Sequence, residues 1–122
     1  MTTSLSRRAL VAAAALSALS LSAPVGAQNA FPSQPIKMIV PYPAGGATDA
    51  LARMMAQKLG EAWNASVLVE NKPGAGGTIG NNVVAKAAPD GHTILMGITA
   101  IIQQPPLMNL PYDPLKDFAP VV

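Results

Sequence analysis

The chain has 122 residues, enough for one domain, with eight basic side chains, six acidic ones and no cysteine. The missing thiols exclude a disulfide framework and a thiolate metal site. Two of the bases, Arg7 and Arg8, lie near the N-terminus, so the rest carries six bases against six acids, and that neutrality, with so few aromatics, excludes a nucleic-acid surface.

The first segment reads as a targeting signal. Arg7-Arg8 is a basic head, Leu10 to Leu21 is an apolar core rich in alanine and leucine, and Val25 and Ala27 are small residues placed for cleavage before Gln28. The core is too short and too serine-rich for a membrane span. Residues 1–27 are therefore expected to be a signal peptide and residues 28–122 the exported part. Ser6-Arg7-Arg8-Ala9-Leu10 fits a loose twin-arginine pattern, and an ordinary secretory signal fits as well.

After an irregular stretch with two prolines, Ile36 to Val40 has the short apolar character of a buried parallel strand. Pro41 and Pro43 stop it, because proline cannot donate to a sheet ladder. Gly45 and Gly46 then permit a tight turn with exposed N–H groups. Thr48 is the expected N-cap of the following helix, with Asp49 in its first turn and Arg53 placed for an (i, i+4) bridge. Leu51, Met54, Met55, Leu59 and Ala62 form the expected buried stripe, the helix is expected to end near Gly60, and Trp63 reads as a core aromatic.

Val67 to Glu70 is the second expected strand. Asn71 to Thr78 is a second glycine-rich turn, with Thr78 as the expected cap of a helix from about Ile79 to Ala88 that buries Ile79, Val83, Val84 and Ala87. Pro89-Asp90-Gly91 is a turn signal, and Thr93 to Ile98 a third strand. The order reads as an α/β doubly wound unit, βαβαβ with a parallel sheet and right-handed crossovers. If the third strand lies on the far side of the first, the first glycine loop stands at a switch point of strand order. From Ala100 the pattern is loop-like until Phe118 to Val122, which resembles the start of another strand. An apolar ending and a sheet so small point to the N-terminal piece of a longer protein.

Most catalytic patterns fail. Neither glycine turn leads into the Gly-Lys-Ser/Thr of a phosphate loop, and Ile79 stands where a dinucleotide fingerprint needs its third glycine. There is no Gly-x-Ser-x-Gly elbow, the acids are scattered, and His92, the only histidine, reads as a turn-edge residue. No catalytic residue, metal or cofactor is expected. What remains is two helix N-termini approached by glycine. One such loop is explained by tight turning alone, whereas two in consecutive βα units of an exported chain point to anion binding. Asp49 sits awkwardly beside such a pocket: it stabilises the helix start, fixes waters or meets an ammonium group.

Phe31-Pro32-Ser33-Gln34-Pro35-Ile36, Val40 to Asp49 with Arg53, Val69 to Gly77, Pro89-Asp90-Gly91-His92-Thr93-Ile94-Leu95, Leu110 to Pro114 and Lys116-Asp117-Phe118 together resemble the Bug-type substrate-binding proteins of tripartite tricarboxylate transporters. The resemblance runs from Phe31 to Val122, with His92 where the family often has tyrosine. It implies an incomplete periplasmic-binding-protein-like lobe of a two-lobed receptor, its second lobe absent. Such a receptor, as a monomer, closes on a small organic acid and delivers it to membrane permease subunits. It further implies that Ala44, Gly45, Gly46, Thr48 and Asp49 hold the ligand carboxylate through backbone amides and ordered waters, with Gly76, Gly77 and Thr78 near the cleft. Two other classes stay open: an exported α/β enzyme with its catalytic groups beyond Val122, and a receptor that senses a carboxylate.

Overall fold

The computed structural model describes residues 31–121; the expected signal peptide lies outside the described residues. The chain forms β1 (Ile36–Val40), α1 (Ala47–Trp63), β2 (Val67–Asn71), a 3-10 turn (Ala75–Gly77), α2 (Thr78–Ala85), β3 (Thr93–Leu95) and a single helical turn, α3 (Ala100–Gln103). The three strands are parallel in the order β2-β1-β3, with Met38 level with Val69 on one side and Ile94 on the other. β3 therefore lies across β1 from β2, as the sequence pattern allowed. Right-handed crossovers then carry α1 and α2 to opposite faces of the sheet.

β1 is the centre of the molecule. Ile36, Met38, Ile39 and Val40 are all at most 2% exposed, and only Lys37 reaches solvent. Each such apolar side chain contributes about 2 kcal/mol by leaving water. Met38 and Val40 pack beneath α1 against Ala52 and Ala56, with Leu59, Val67, Val69 and Ile94 around them. On the other face α2 approaches the end of β1 so closely that a Cβ on Gly80 would meet Pro41 Cβ at 2.7 Å and Lys72 O at 2.8 Å.

The helices bury different faces from those expected. α1 buries Asp49, Ala52 and Ala56, while Leu51, Met54 and Met55 are exposed. Two stripes at helical spacing compete on this helix, and the one built of alanine lets the backbone settle nearest the sheet. α2 ends at Ala85 and buries Gly80 and Asn81, leaving Ile79 and Val83 exposed. Here the contact with Pro41 sets the face, because only a residue without Cβ fits it. Trp63 is 40% exposed and meets Phe31 edge-on at 6.0 Å, so it is a surface aromatic rather than a core one. α1 ends three residues past Gly60, where Asn64 turns left-handed and returns its N–H to Gly60 O. β3 stops at Leu95 rather than Ile98, although Met96 N still donates to Ile39 O at 2.9 Å. Residues 118–121 are not a strand; Phe118 instead packs edge-on against Tyr112.

Gly80→Ala should destabilise the fold by about 1–3 kcal/mol, because the added methyl meets backbone rather than a movable side-chain tip. Gly46→Ala, whose Cβ would find nothing nearer than 3.7 Å, should cost much less. Urea unfolding midpoints of the two variants check the ordering.

Candidate functional site

Both glycine loops leave the C-terminal ends of their strands, and the first stands where strand order reverses, the crevice in which open α/β sheets bind ligands. Pro41 is fully buried at its base. Gly45 has a φ of 84°, a left-handed turn that favours glycine, and Gly46 then enters the helix in extended geometry as its N-cap. Thr48 is not the cap, nor is Thr78: each lies inside its helix, and Gly46 and Gly77 are the N-caps, without side-chain cap bonds. A glycine cap leaves the first turn uncovered. The first helical bond of α1 is Ala50 N to Gly46 O at 2.9 Å, so the N–H groups of Gly46, Ala47, Thr48 and Asp49 have no acceptor within the helix. Ala47 was not singled out by the sequence pattern; it belongs to this crown because α1 starts two residues earlier than a Thr48 cap implies.

Asp49 is 4% exposed, and protein donors occupy both of its carboxylate oxygens. Oδ2 accepts from Gly45 N at 2.9 Å and from Arg53 Nε at 3.1 Å, and Oδ1 accepts from Asn71 Nδ2 at 3.0 Å. The expected (i, i+4) bridge is thus present, as part of a larger network. The Arg53 contact, then the Gly45 and Asn71 bonds, hold the Asp49 carboxyl down at about 2 from its ordinary 3.8. The charge that made this residue awkward beside an anion is paired with Arg53 within the network, and each oxygen already has a protein donor. Gly45 spends its N–H on Asp49 and shapes the turn rather than offering an amide.

The sequence places Asn71 at the start of the second glycine-rich turn and within the stretch that resembles the receptor family, with no role of its own. It ends β2, level with Val40 in the parallel register, which brings its side chain under the first loop. Besides Asp49, its Nδ2 donates to Tyr42 O at 3.1 Å, and its Oδ1 accepts from Arg53 Nη2 at 3.1 Å. Nothing in the local sequence signals this role, because it depends on strand pairing.

The second loop is built differently. Gly74, Ala75, Gly76 and Gly77 all have positive φ. Gly77 N donates to Gly74 O at 2.9 Å and Thr78 N to Ala75 O, so these two amides are spent inside the loop. Gly76 O accepts from Gln104 Nε2 at 2.8 Å. Gly77 packs so tightly on the first loop that a Cβ there would lie 3.3 Å from the Tyr42 hydroxyl, and this contact brings the two loops together. Burial, then Tyr112, push the Tyr42 phenol above its ordinary range. The C-terminal segment closes over the far side: Asn81 Nδ2 donates to the Tyr112 hydroxyl at 2.9 Å, which donates to Gln104 Oε1 at 3.3 Å.

His92 lies at the other end of the sheet, just before β3, where its Nε2 accepts from Ser33 N at 3.2 Å and Phe31 packs on its ring. It closes a turn, as expected, and has no part in the loop site. Among the described residues, no group of three or more His, Cys, Asp or Glu side chains could hold a metal ion. An open groove of about 490 Å³ runs beside the C-terminal segment, lined by Ile102, Met108, Leu110, Tyr112 and Leu115 among others.

Comparison with known proteins gives a consistent picture. The model of the tripartite tricarboxylate transporter family receptor matches residues 51–122. A UPF0065 protein from the tcbD-tcbE intergenic region of a Pseudomonas species is 43% identical over 117 residues, covering 95% of this chain and 35% of that protein. Protein BugT of Bordetella pertussis is 40% identical over 104 residues, covering 83% of this chain and 32% of BugT. Among solved structures, a Rhodopseudomonas palustris protein with adipate matches with a TM-score of 0.71 at 35% identity over 75% of this chain and 31% of that one. MatC from the same organism, with bound malate, matches with a TM-score of 0.65 at 36% identity over 75% of this chain and 32% of that one. The periplasmic binding protein BugD matches with a TM-score of 0.52 at 51% identity over 53% of this chain and 22% of that one. The chain spans about a third of the length of the curated relatives it matches.

The depressed Asp49 pKa has a consequence for acid stability. A carboxyl lowered on folding stabilises the native state fully above its unfolded value, here near 3.8, and loses that contribution as pH falls through about 2. Asp49→Asn should therefore melt lower than the parent protein at pH 6, and the gap should narrow between about pH 4 and pH 2. Thermal melts of both proteins across that range test this.

Proposed function

Because the chain belongs to the tripartite tricarboxylate transporter receptor family, we propose that it grips one carboxylate of a small organic acid in a periplasmic solute receptor. The observation that carries this reading is the open N-terminus of α1. Four main-chain N–H groups stand there without helical acceptors, beside an acid already neutralised by Arg53. A carboxylate at this position gains charge-assisted hydrogen bonds and the favourable end of the helix dipole. The neighbours solved with adipate and malate support a carboxylate as the ligand class. The matched family is one of receptors, and BugD is a binding protein, so the reading is capture rather than catalysis.

In this reading Gly46, Ala47, Thr48 and Asp49 present amides to the ligand, and Ala44 and Gly45 shape its approach. Gly76, Gly77 and Thr78 flank the site and hold the first loop in place. Residues 1–27 direct export, and residues 28–122 form the N-terminal part of the first lobe. A second lobe closes over the acid, and membrane permease subunits of the transporter receive it from a monomeric receptor. No cofactor takes part.

The test removes one amide and leaves the fold intact. Proline is favoured at the first position of a helix, and Gly46 before it already has the extended geometry that a following proline requires. Ala47→Pro should melt at or above the parent temperature. In titration calorimetry with malate and adipate on the full-length protein, it should lose about tenfold or more in affinity. Unchanged affinity in a parent that binds these acids would show that the carboxylate sits elsewhere.

A further inference from the structure

We propose that Asn71 is the positioning residue of the carboxylate site: from the end of a different element, its single amide group sets where the α1 amides point. This rests on the carboxylate-receptor reading above. The first glycine loop has little to hold it, since it carries left-handed Gly45, exposed Ala44 and Gly46, and a glycine cap with no side chain. Its conformation is fixed from two sides by one planar group. The Asn71 Nδ2 hydrogens go to Tyr42 O, before the turn, and to Asp49 Oδ1, after it, while Asn71 Oδ1 accepts from Arg53 Nη2 one helical turn further on. The assignment of nitrogen and oxygen is forced. Flipping the amide would set oxygen against two oxygens and NH₂ against a guanidinium N–H.

No other side chain of this size does the same work. Aspartate has no donor for Tyr42 O or Asp49, and serine has one hydroxyl where two donors and an acceptor are needed. Asn71 is also the last residue of β2 and runs through Lys72 and Pro73 into the second glycine loop, which touches Tyr42 through Gly77. It is therefore the covalent root of one loop and the hydrogen-bonded support of the other. Asp49, which looked like a ligand contact, becomes the intermediate: it passes the position of Asn71 and Arg53 on to Gly45 N.

The charge arrangement yields a test that a general packing role would not pass. In Asn71→Asp a carboxylate oxygen faces Asp49 Oδ1 where the amide nitrogen stood 3.0 Å away. Two carboxylates that close repel, and one takes up a proton as pH falls. The ratio of variant to parent Kd for malate, measured on the full-length protein, should be about tenfold or more at pH 8 and return toward one near pH 5. The ratio cancels the ligand's own titration. Asp49→Asn combined with Asn71→Asp restores the acid–amide pair and its Arg53 contact but leaves Tyr42 O without its donor, so it should flatten the pH dependence and recover affinity only in part. Asn71→Ser, which removes the bonds without adding charge, should weaken binding at every pH. A ratio near one at all pH values, with no loss in Asn71→Ser, overturns the proposal. Hydrogen exchange of the Tyr42–Ala47 segment without ligand gives a second readout. It should accelerate in Asn71→Asp at pH 8 and slow part of the way back toward the parent rate in the double exchange, and parent-like exchange in both single variants overturns the proposal. If the parent protein binds neither malate nor adipate, the carboxylate reading fails and exchange alone judges the role of Asn71.

Discussion

The arrangement depends on a carboxylate that is buried without being left charged and alone. Asp49 lies on the face of α1 that settles against the sheet, where an acid without partners would be unfavourable. Arg53, Asn71 and Gly45 meet its oxygens, and that requirement places three segments at once: the helix, the end of β2 and the glycine turn. Arg53 keeps half of its side chain in water, which spares the pair most of the desolvation that a fully buried bridge suffers. The network thus reconciles an acid in a sheet-facing position with a neighbouring crown of amides that attracts negative charge.

Below this network the fold is carried by one strand. Among the described residues, β1 is covered on both faces and paired on both edges, while β2 and β3 each leave an edge and part of a face open. The two glycine loops rise from this rigid centre, and the contact of Gly77 with Tyr42 joins them above it. A site made of backbone needs that support, because amides cannot be re-aimed by a change of rotamer. Their direction is the direction of the chain.

The order of elements was legible because proline and glycine punctuate it: Pro41 and Pro43 close one strand, and Pro89-Asp90-Gly91 marks the turn before another. What failed to show locally was set by contacts between distant segments. The caps fell to Gly46 and Gly77 instead of Thr48 and Thr78, since a tight turn into a helix asks for backbone freedom before it asks for a capping hydroxyl. The buried face of α1 went to Ala52 and Ala56 because close approach to a sheet favours small side chains, which a count of large apolar residues overlooks. The first loop was recognisable as a tight turn into a helix N-terminus from its glycines and the helix behind it. Asn71 was invisible, because its partners lie 22 and 29 residues away and only the pairing of β1 with β2 brings them within reach.

The chain of hydrogen bonds from Asn81 through Tyr112 to Gln104 also bears on how such a sequence can change over generations. Its three side chains are buried, and each serves another. Exchanging Tyr112 for phenylalanine alone strands an amide hydrogen on Asn81 and a carbonyl oxygen on Gln104, at a cost of about 1–3 kcal/mol for each group left dry. Replacing all three by apolar residues of matching shape removes the stranded groups among them, though Gly76 O then loses its Gln104 donor, and each single step leaves a partner unpaired. The three positions therefore form a heritable block that drift can cross only by a rare coincidence of substitutions, whereas exposed Leu51 and Met54 on α1 lie on open ground.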